Sequence, residues 1–302
     1  MVKKVKYLNH DEINHAKWDN LIDTSTTGKV FNYSWYLNQL CSWDAVIIGD
    51  YEAAIPLPVS RKWGIKALLQ PNFIQQCNWI GEMPDAKELE QVKLLILSNF
   101  SFIHFNTNID IITFAKKRDN LILEIDDIKI LENNFSKSLK KNIKKAKAFH
   151  SVSFNMDVQQ TINLYQSAYG DKTKHLKEED FNLIKSLVHK NPTNFINIQV
   201  NYKEETTASL LFAVGKSRIH YILGAPSKKG RTLNSLSYGL NEVLVKFANK
   251  NMILDFEGSS IKSVHAYYSS FGAKNEPFYE VVYSRPFLRP FAFIYNNLLR
   301  SI

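Results

Sequence analysis

Cysteine is almost absent from this 302-residue chain, which carries only Cys41 and Cys77. Two residues so placed build neither a disulfide framework nor a metal-ligand spacing, and they fit a reducing compartment. Long apolar runs are absent as well: no stretch approaches the ~18 apolar residues of a membrane-spanning helix. The opening MVKKVKYLNHDE lacks the apolar core of a secretory signal. These absences predict a cytoplasmic protein. Arginine is scarce, at 7 of the 38 basic residues, the other 31 being lysine. In a chain also rich in Asn and Ile, that bias is a mark of AT-rich coding, so the net charge of +9 is weak evidence for a polyanionic partner. No Ser-His-Asp or Cys-His order with supporting context occurs. His10 with His15, and His175 with His189, lack acidic support at ligand spacing, so no metal centre is expected.

What the chain does contain is ordinary for a globular protein, 45% hydrophobic and 22% charged. At this length it can bury roughly three quarters of its unfolded surface. The most informative stretch runs from Arg218 to Tyr283. Arg218–Ala225 reads as an apolar strand and Ser227–Arg231 (SKKGR) as a basic loop. Leu236–Lys250 then reads as a helix, with Leu236, Leu240, Val243, Leu244 and Phe247 at spacings of three and four. Met252–Phe256 is a buried-type strand with Asp255 and Glu257 at its far end. Ser259 or Ser260 caps a further helix bearing Ile261, Val264, Tyr268 and Phe271, and Gly272 stops it. Strand, basic loop, helix, strand, acidic elbow, helix, strand is the plan of a ligand site at the open ends of a sheet.

The two halves share an order of elements without sharing sequence. In the first, Lys3–Leu8 is a strand, Asp11 opens a helix carrying Ile13, Trp18, Leu21 and Ile22, and Tyr33–Leu40 is a second helix. Ala45–Gly49, Glu52–Ser60 and Ile65–Leu69 follow as strands, the middle one marked as an edge or bulged strand by Pro56 and Pro58. Ala86–Asn99 is a helix, and Ser101–Asn106 and Asp110–Ala115 are strands. In the second half Asn120–Ile125 is a strand, and Leu131–Phe149, Val158–Tyr169 and Phe181–His189 are helices. Phe195–Tyr202, Thr207–Val214 and Arg218–Leu223 form a meander. The charged turn Lys116–Asn120 is the predicted boundary between two α/β domains with mixed sheets, residues 1–118 and 119–302.

Three stretches carry a resemblance: Phe135–Phe149 (FSKSLKKNIKKAKAF), Asp255–Ala273 (DFEGSSIKSVHAYYSSFGA) and Ala54–Gln76, with its Pro-Leu-Pro strand and its Gln-Pro and Gln-Gln pairs. Together with the element order, they resemble the FemABX-like branch of the GNAT acyltransferases, as two tandem GNAT-like domains. The resemblance implies an enzyme that moves an acyl or aminoacyl group from acyl-CoA or aminoacyl-tRNA to a small-molecule or peptide amine. It implies direct attack in a cleft of the second domain, without a tightly bound cofactor, and a link to cell-wall chemistry. Two departures stand out. Lys228-Lys229-Gly230-Arg231 replaces the usual diphosphate loop, and the helical hairpin that some Fem ligases insert for tRNA is missing, which disfavours tRNA. The alternative is a non-catalytic protein of the same fold that binds an anionic ligand.

Candidate residues follow. Asp255 and Glu257 alternate along a strand, so both are expected on one face, to orient or deprotonate the amine; helix capping by Glu257 is the bland alternative. His265 and Tyr267 lie off the apolar face of their helix and join them as catalytic candidates. Lys228, Lys229, Gly230, Arg231 and Ser235 are donor-phosphate candidates at a helix start. His220, Tyr221 and Tyr238 are cleft-lining. Lys140, Lys141, Lys144 and Lys145 belong to a run of six Lys without an acid from Asn133 to His150, with Leu139, Ile143 and Ala146 as its inward stripe. That run is either a solvated face or an anion-binding one. The aromatic tail Ser284–Ile302, with Arg285, Arg289 and Arg300, is expected to pack on the first domain, with contact to an anionic membrane surface as the other reading.

Overall fold

The computed structural model describes residues 3–62, 64–112, 115–258 and 260–288. The chain divides into two compact units, one running to Arg118 and resuming at Pro277, the other from Asp119 to Glu276. The first unit contains β1 (Val5–Leu8), α1 (His15–Thr24), α2 (Ser34–Leu40), β2 (Ser42–Ile48), β3 (Ala53–Lys62), β4 (Ile65–Leu69) and the two-residue β5 (Ile80–Gly81). It continues with α3 (Ala86–Asn99), β6 (Phe102–Thr107) and β7 (Lys116–Arg118). The second contains β8 (Leu121–Ile125), α4 (Ile128–Asn134), α5 (Lys137–Lys147), β9 (His150–Asn155), α6 (Val158–Tyr169) and α7 (Glu178–Lys190). Then come β10 (Phe195–Tyr202), β11 (Glu205–Val214), β12 (Arg218–Pro226), α8 (Lys228–Thr232), α9 (Ser235–Phe247), β13 (Met252–Asp255), α10 (Lys262–Ser269) and β14 (Lys274–Asn275). The last strand, β15 (Phe278–Ser284), returns to the first sheet.

The sheets run β1-β2-β3-β4-β6-β15-β7, with β5 on β3, and β9-β10-β11-β12-β13-β8-β14. Both therefore read as four antiparallel strands, one parallel neighbour, and two further antiparallel strands. The sixth place is filled differently. In the first sheet it belongs to β15, which pairs with β6 from Tyr279↔Thr107 to Ser284↔Phe102. In the second it belongs to β8, the strand with which that unit begins. The C-terminal strand expected in the second domain thus belongs to the first unit.

Other expectations shift for local reasons. Pro56 and Pro58 lie in a strand that is not an edge, yet among the described residues positions 55–58 have a partner on one side only, because β5 pairs with Ala53–Ala54 and β4 with Val59–Lys62. A missing N–H is tolerated there. Asp110–Ala115 is not a strand over its described residues: Ile111 and Ile112 are buried outside any ladder, and residues 113–114 lie outside the described set. The single helix expected over Leu131–Phe149 is two. Between them Phe135 turns into the core against Phe271 (5.4 Å, 70°), and Ser136 Oγ restarts the helix by accepting from Leu139 N (3.2 Å). β9, read as part of no element, is half-exposed and pairs with β10 alone. The expected stripe of α5, Leu139, Ile143 and Ala146, is buried, as are Leu240, Val243 and Leu244 of α9 against Val200, Leu210 and Phe212 of the sheet. Among the described residues, no helix is long and apolar enough to cross a membrane. The tail is described to Leu288; Arg285 donates from its N to Ser101 O (3.0 Å) and from its guanidinium to Ser98 O (3.1 Å), while Arg289 and Arg300 lie outside the described residues.

A candidate active site where two parallel strands part

β12 and β13 pair over only three positions, Arg218↔Ile253, Ile219↔Leu254 and His220↔Asp255. β12 then continues to Pro226, with a bulge opposite Leu211/Phe212, while the chain leaving Asp255 turns sharply. Among the described residues, no strand pairs with the β13-facing edge of residues 222–225. The turn is an elbow with Glu257 at φ +56° and Gly258 at φ +117°. A left-handed conformation is strained for Glu, by about 1 kcal/mol or more. Three hydrogen bonds hold it: Phe256 N to Leu121 O (3.0 Å), Glu257 N to Asp255 Oδ1 (3.1 Å) and Gly258 N to Asn120 Oδ1 (3.0 Å).

The elbow brings Glu257 Oε1 to 2.5 Å from His220 Nδ1, with Asp255 Oδ2 at 3.9 Å from the same nitrogen. Both carboxylates therefore meet on one side, as the alternation predicts, although β13 has ended and the turn does the aiming. Phe256 goes the other way and stacks on Tyr268 (4.3 Å, 19°). Glu257 does not cap α10. That helix begins at Lys262 after Ile261, without a side-chain cap; of the two serines expected there, Ser260 makes no such bond and Ser259 lies outside the described residues.

Asp255 is fully buried and differently occupied. Its Oδ1 accepts from Asn120 Nδ2 (2.9 Å), and its Oδ2 from Arg218 (2.8 Å), which also forks onto Glu276 at 2.6 and 2.9 Å. Burial opposes the Arg218 charge, but Glu276 and Asp255 outweigh it and hold the guanidinium well above its ordinary value. Asn120, Arg218 and Glu276 were not singled out from sequence. Arg218 had a readable signal, as a cation opening an otherwise apolar strand that faces the acidic elbow. The ligand atoms of His220, Asp255 and Glu257 lie within 4.8 Å of one another, close enough for a cation. Arg218 already sits on Asp255, so the arrangement suits proton transfer better than metal binding.

The remaining candidates separate. Tyr221 stacks on Phe212 (5.1 Å, 25°), and a Cβ at Gly224 would lie 2.4 Å from its hydroxyl. Burial pushes the Tyr221 phenol up, and the nearby phenols of Tyr268, Tyr267, Tyr169 and Tyr165, themselves only partly buried, add to this. Tyr267 bonds Ser237 Oγ at 3.0 Å and is likewise pushed up by burial. His265 stands apart on a half-exposed face, with Ser269 Oγ at 3.3 Å. Tyr238 packs beside His150 (5.8 Å). Ser235 is buried in a chain of side chains, from His150 Nε2 (2.8 Å) to Ser235 Oγ to Thr207 Oγ1 (2.9 Å).

The basic loop is a short helix, α8, with Ser227 Oγ accepting from Gly230 N (3.0 Å). Gly230 is required there, since a Cβ would fall 1.9 Å from Thr207 O. Lys229 reaches Glu205 (2.6 Å) and lies over the Tyr202 ring (4.8 Å). Arg231 lies over Tyr169 (5.6 Å). Two of the three cations are therefore already engaged within the protein. Lys140, Lys141, Lys144 and Lys145 are exposed on α5.

This is the tandem GNAT fold, of FemX-like build. Solved structures establish it: FemX has a TM-score of 0.69 at 10% identity, covering 95% of this chain and 100% of that one. The C-terminal domain of a putative lysylphosphatidylglycerol synthetase from Agrobacterium fabrum gives 0.59 at 10%, covering 94% and 95%. A tandem GNAT protein from the clavulanic acid biosynthesis pathway gives 0.50 at 8%, covering 92% and 97%. No family model and no curated protein matches the chain.

Proposed function

We propose that this chain transfers an acyl or aminoacyl group from an activated donor to a small-molecule or peptide amine, at the parting of β12 and β13. The observation that carries the reading is the pair of Glu257 and His220 at 2.5 Å, formed by a strained elbow beside a strand edge that no described strand pairs with. In this reading Nδ1–H of His220 donates to Glu257, which fixes the ring so that Nε2 takes the proton of the amine. The amine nitrogen attacks the donor carbonyl directly. The carbonyl's bond to sulfur or oxygen breaks, and its electron pair leaves with that atom. N–H groups of β12 beyond His220 are the candidates to hold the developing oxyanion. Asp255 braces the elbow through Arg218 and Asn120 rather than acting as the base. Tyr267, kept protonated by burial, is the candidate to protonate the leaving group, and His265 has no part. Acyl-CoA is the preferred donor and aminoacyl-tRNA the second, with the donor phosphates near Lys228.

The test is mass spectrometry of amine acceptors after incubation with acyl-CoA thioesters and, separately, charged tRNA. His220→Gln should lower turnover by about a hundredfold or more; undiminished transfer in that folded variant sinks the assignment. Donor binding without turnover across the panel would favour a non-catalytic anion-binding protein.

A further inference from the structure

We propose that the outer face of α5 is an electrostatic docking surface for an anionic lipid bilayer, a role separate from acyl transfer. Lys137, Lys140, Lys141, Lys144, Lys145 and Lys147 all stand exposed on this eleven-residue helix. Among the described residues none of them pairs with a carboxylate, although lysines elsewhere do: Lys3 with Glu52 and Glu82, Lys17 with Asp50, Lys66 with Asp44, Lys274 with Glu124. The six also oppose one another. Six like-charged couples fall at spacings of three or four, from Lys137 with Lys140 to Lys144 with Lys147, and each destabilises a helix. Lys137 and Lys140 stand in the first turn, where the helix dipole disfavours cations. The only described help from this face is Lys140 Nζ on Asn133 O (3.0 Å). Stability is set by the buried stripe and the Ser136 cap, so the cations oppose the fold unless an anion meets them.

The chemistry of the face selects among anions. It offers lysines with Ser138, Asn142 and Ala148, and no arginine to fork onto a phosphate or aromatic ring to stack a base. It is a convex ridge about 16 Å long, better shaped for a plane than for a groove. Four to eight lysines on one amphipathic helix are the usual signature of anionic-lipid attraction. Leu139, Ile143 and Ala146 are turned into the core, so α5 adheres without inserting, and its attachment is reversed by salt.

Co-sedimentation of the full chain with vesicles of equal parts phosphatidylglycerol and phosphatidylcholine tests this. Binding is expected in low salt, is lost at about 0.5 M salt, and does not occur on phosphatidylcholine alone. Replacing Lys140, Lys141, Lys144 and Lys145 by Gln should weaken it by about a hundredfold or more, with circular dichroism unchanged. A variant with Lys4, Lys6, Lys87 and Lys172 changed to Gln removes the same charge and should bind nearly as the unaltered chain does. No vesicle binding in low salt, equal loss in both variants, or tighter binding of an RNA duplex than of vesicles through the same lysines overturns the proposal.

Discussion

The two sheets have one strand order but treat the end of their parallel pair in opposite ways. In the first unit β4 and β6 pair from Ala67↔Phe102 to Leu69↔His104. The chain then stays on β6: Gln70 N donates to His104 O (2.9 Å), Gln70 Oε1 accepts from Asn106 N (2.8 Å), and Cys77 N donates to Asn106 O (2.8 Å). Ile74, Gln76, Cys77 and Asn78 are buried, so this segment fills the parting. In the second unit the ladder stops at His220↔Asp255, and the chain after β12 leaves for α8 and α9. Each unit also holds a buried histidine against a carboxylate. Glu280 meets His104 at 2.9 Å and Arg118 at 2.6 Å, one anion matched to one permanent cation. In the second unit Arg218 is shared by Asp255 and Glu276, and Glu257 turns to His220. In the first unit a buried segment covers the parting beside its ion pair, whereas in the second, among the described residues, no strand continues the ladder past His220 and Asp255, and the proposed function rests on that difference.

The sharpest way to break this comparison is to divide the chain. Residues 119–276 contain a whole sheet and should fold alone, whereas residues 1–118 lack β15 and should give no cooperative unfolding transition. A cooperatively folded 1–118 fragment would refute the exchange of strands.

Next in size is a matched pair of substitutions. Glu280→Gln removes the anion shared by buried His104 and the partly exposed Arg118 and should lower stability by about 1–3 kcal/mol while sparing the turnover of molecules that remain folded. Glu257→Gln should lower turnover by about a hundredfold or more with a smaller loss of stability. Denaturant melts and rates on both proteins decide it, and equal effects on rate would erase the distinction between the units.

Gly230→Ala should lower stability by about 1–3 kcal/mol, because the new methyl meets the Thr207 carbonyl and must displace backbone. A neutral melt would mean that α8 is free to move away from β11. The smallest effect is expected from changing Lys228, Lys229 and Arg231 to Gln. Stability should change by no more than about 0.5 kcal/mol, while donor affinity falls if the phosphates lie there; unchanged affinity removes the loop from the site.

Much of this was legible in the sequence because periodicity reports burial. Phe195–Tyr202, Ile65–Leu69 and Ala86–Asn99 have the bounds that their patterns predict, and Leu139, Ile143 and Ala146 face the core. The tandem architecture followed from element order. Strand partnership did not, since nothing in Phe278–Ser284 names β6 as its neighbour rather than a strand of the preceding unit. At the site Asp255, Glu257 and His220 were visible as residue types in a suggestive order. Their separate roles were not, because these depend on Asn120 and Arg218, which lie more than thirty residues away in sequence and close on Asp255 only in the folded sheet. The left-handed backbone at Glu257 was hidden as well, since the type most tolerant of that conformation, glycine, comes one position later.

The placement of β15 has a consequence for how the molecule is made. A ribosome finishes β1 to β7 first, yet the sixth strand of that sheet is not synthesised until after Glu276. At about 5–20 residues per second, the first sheet waits on the order of ten to thirty seconds with an unpaired edge on β6, whereas the second can close as soon as Glu276 has emerged. The half that is translated first is therefore the half that matures last, and during synthesis its bare edge is exposed to neighbouring nascent chains.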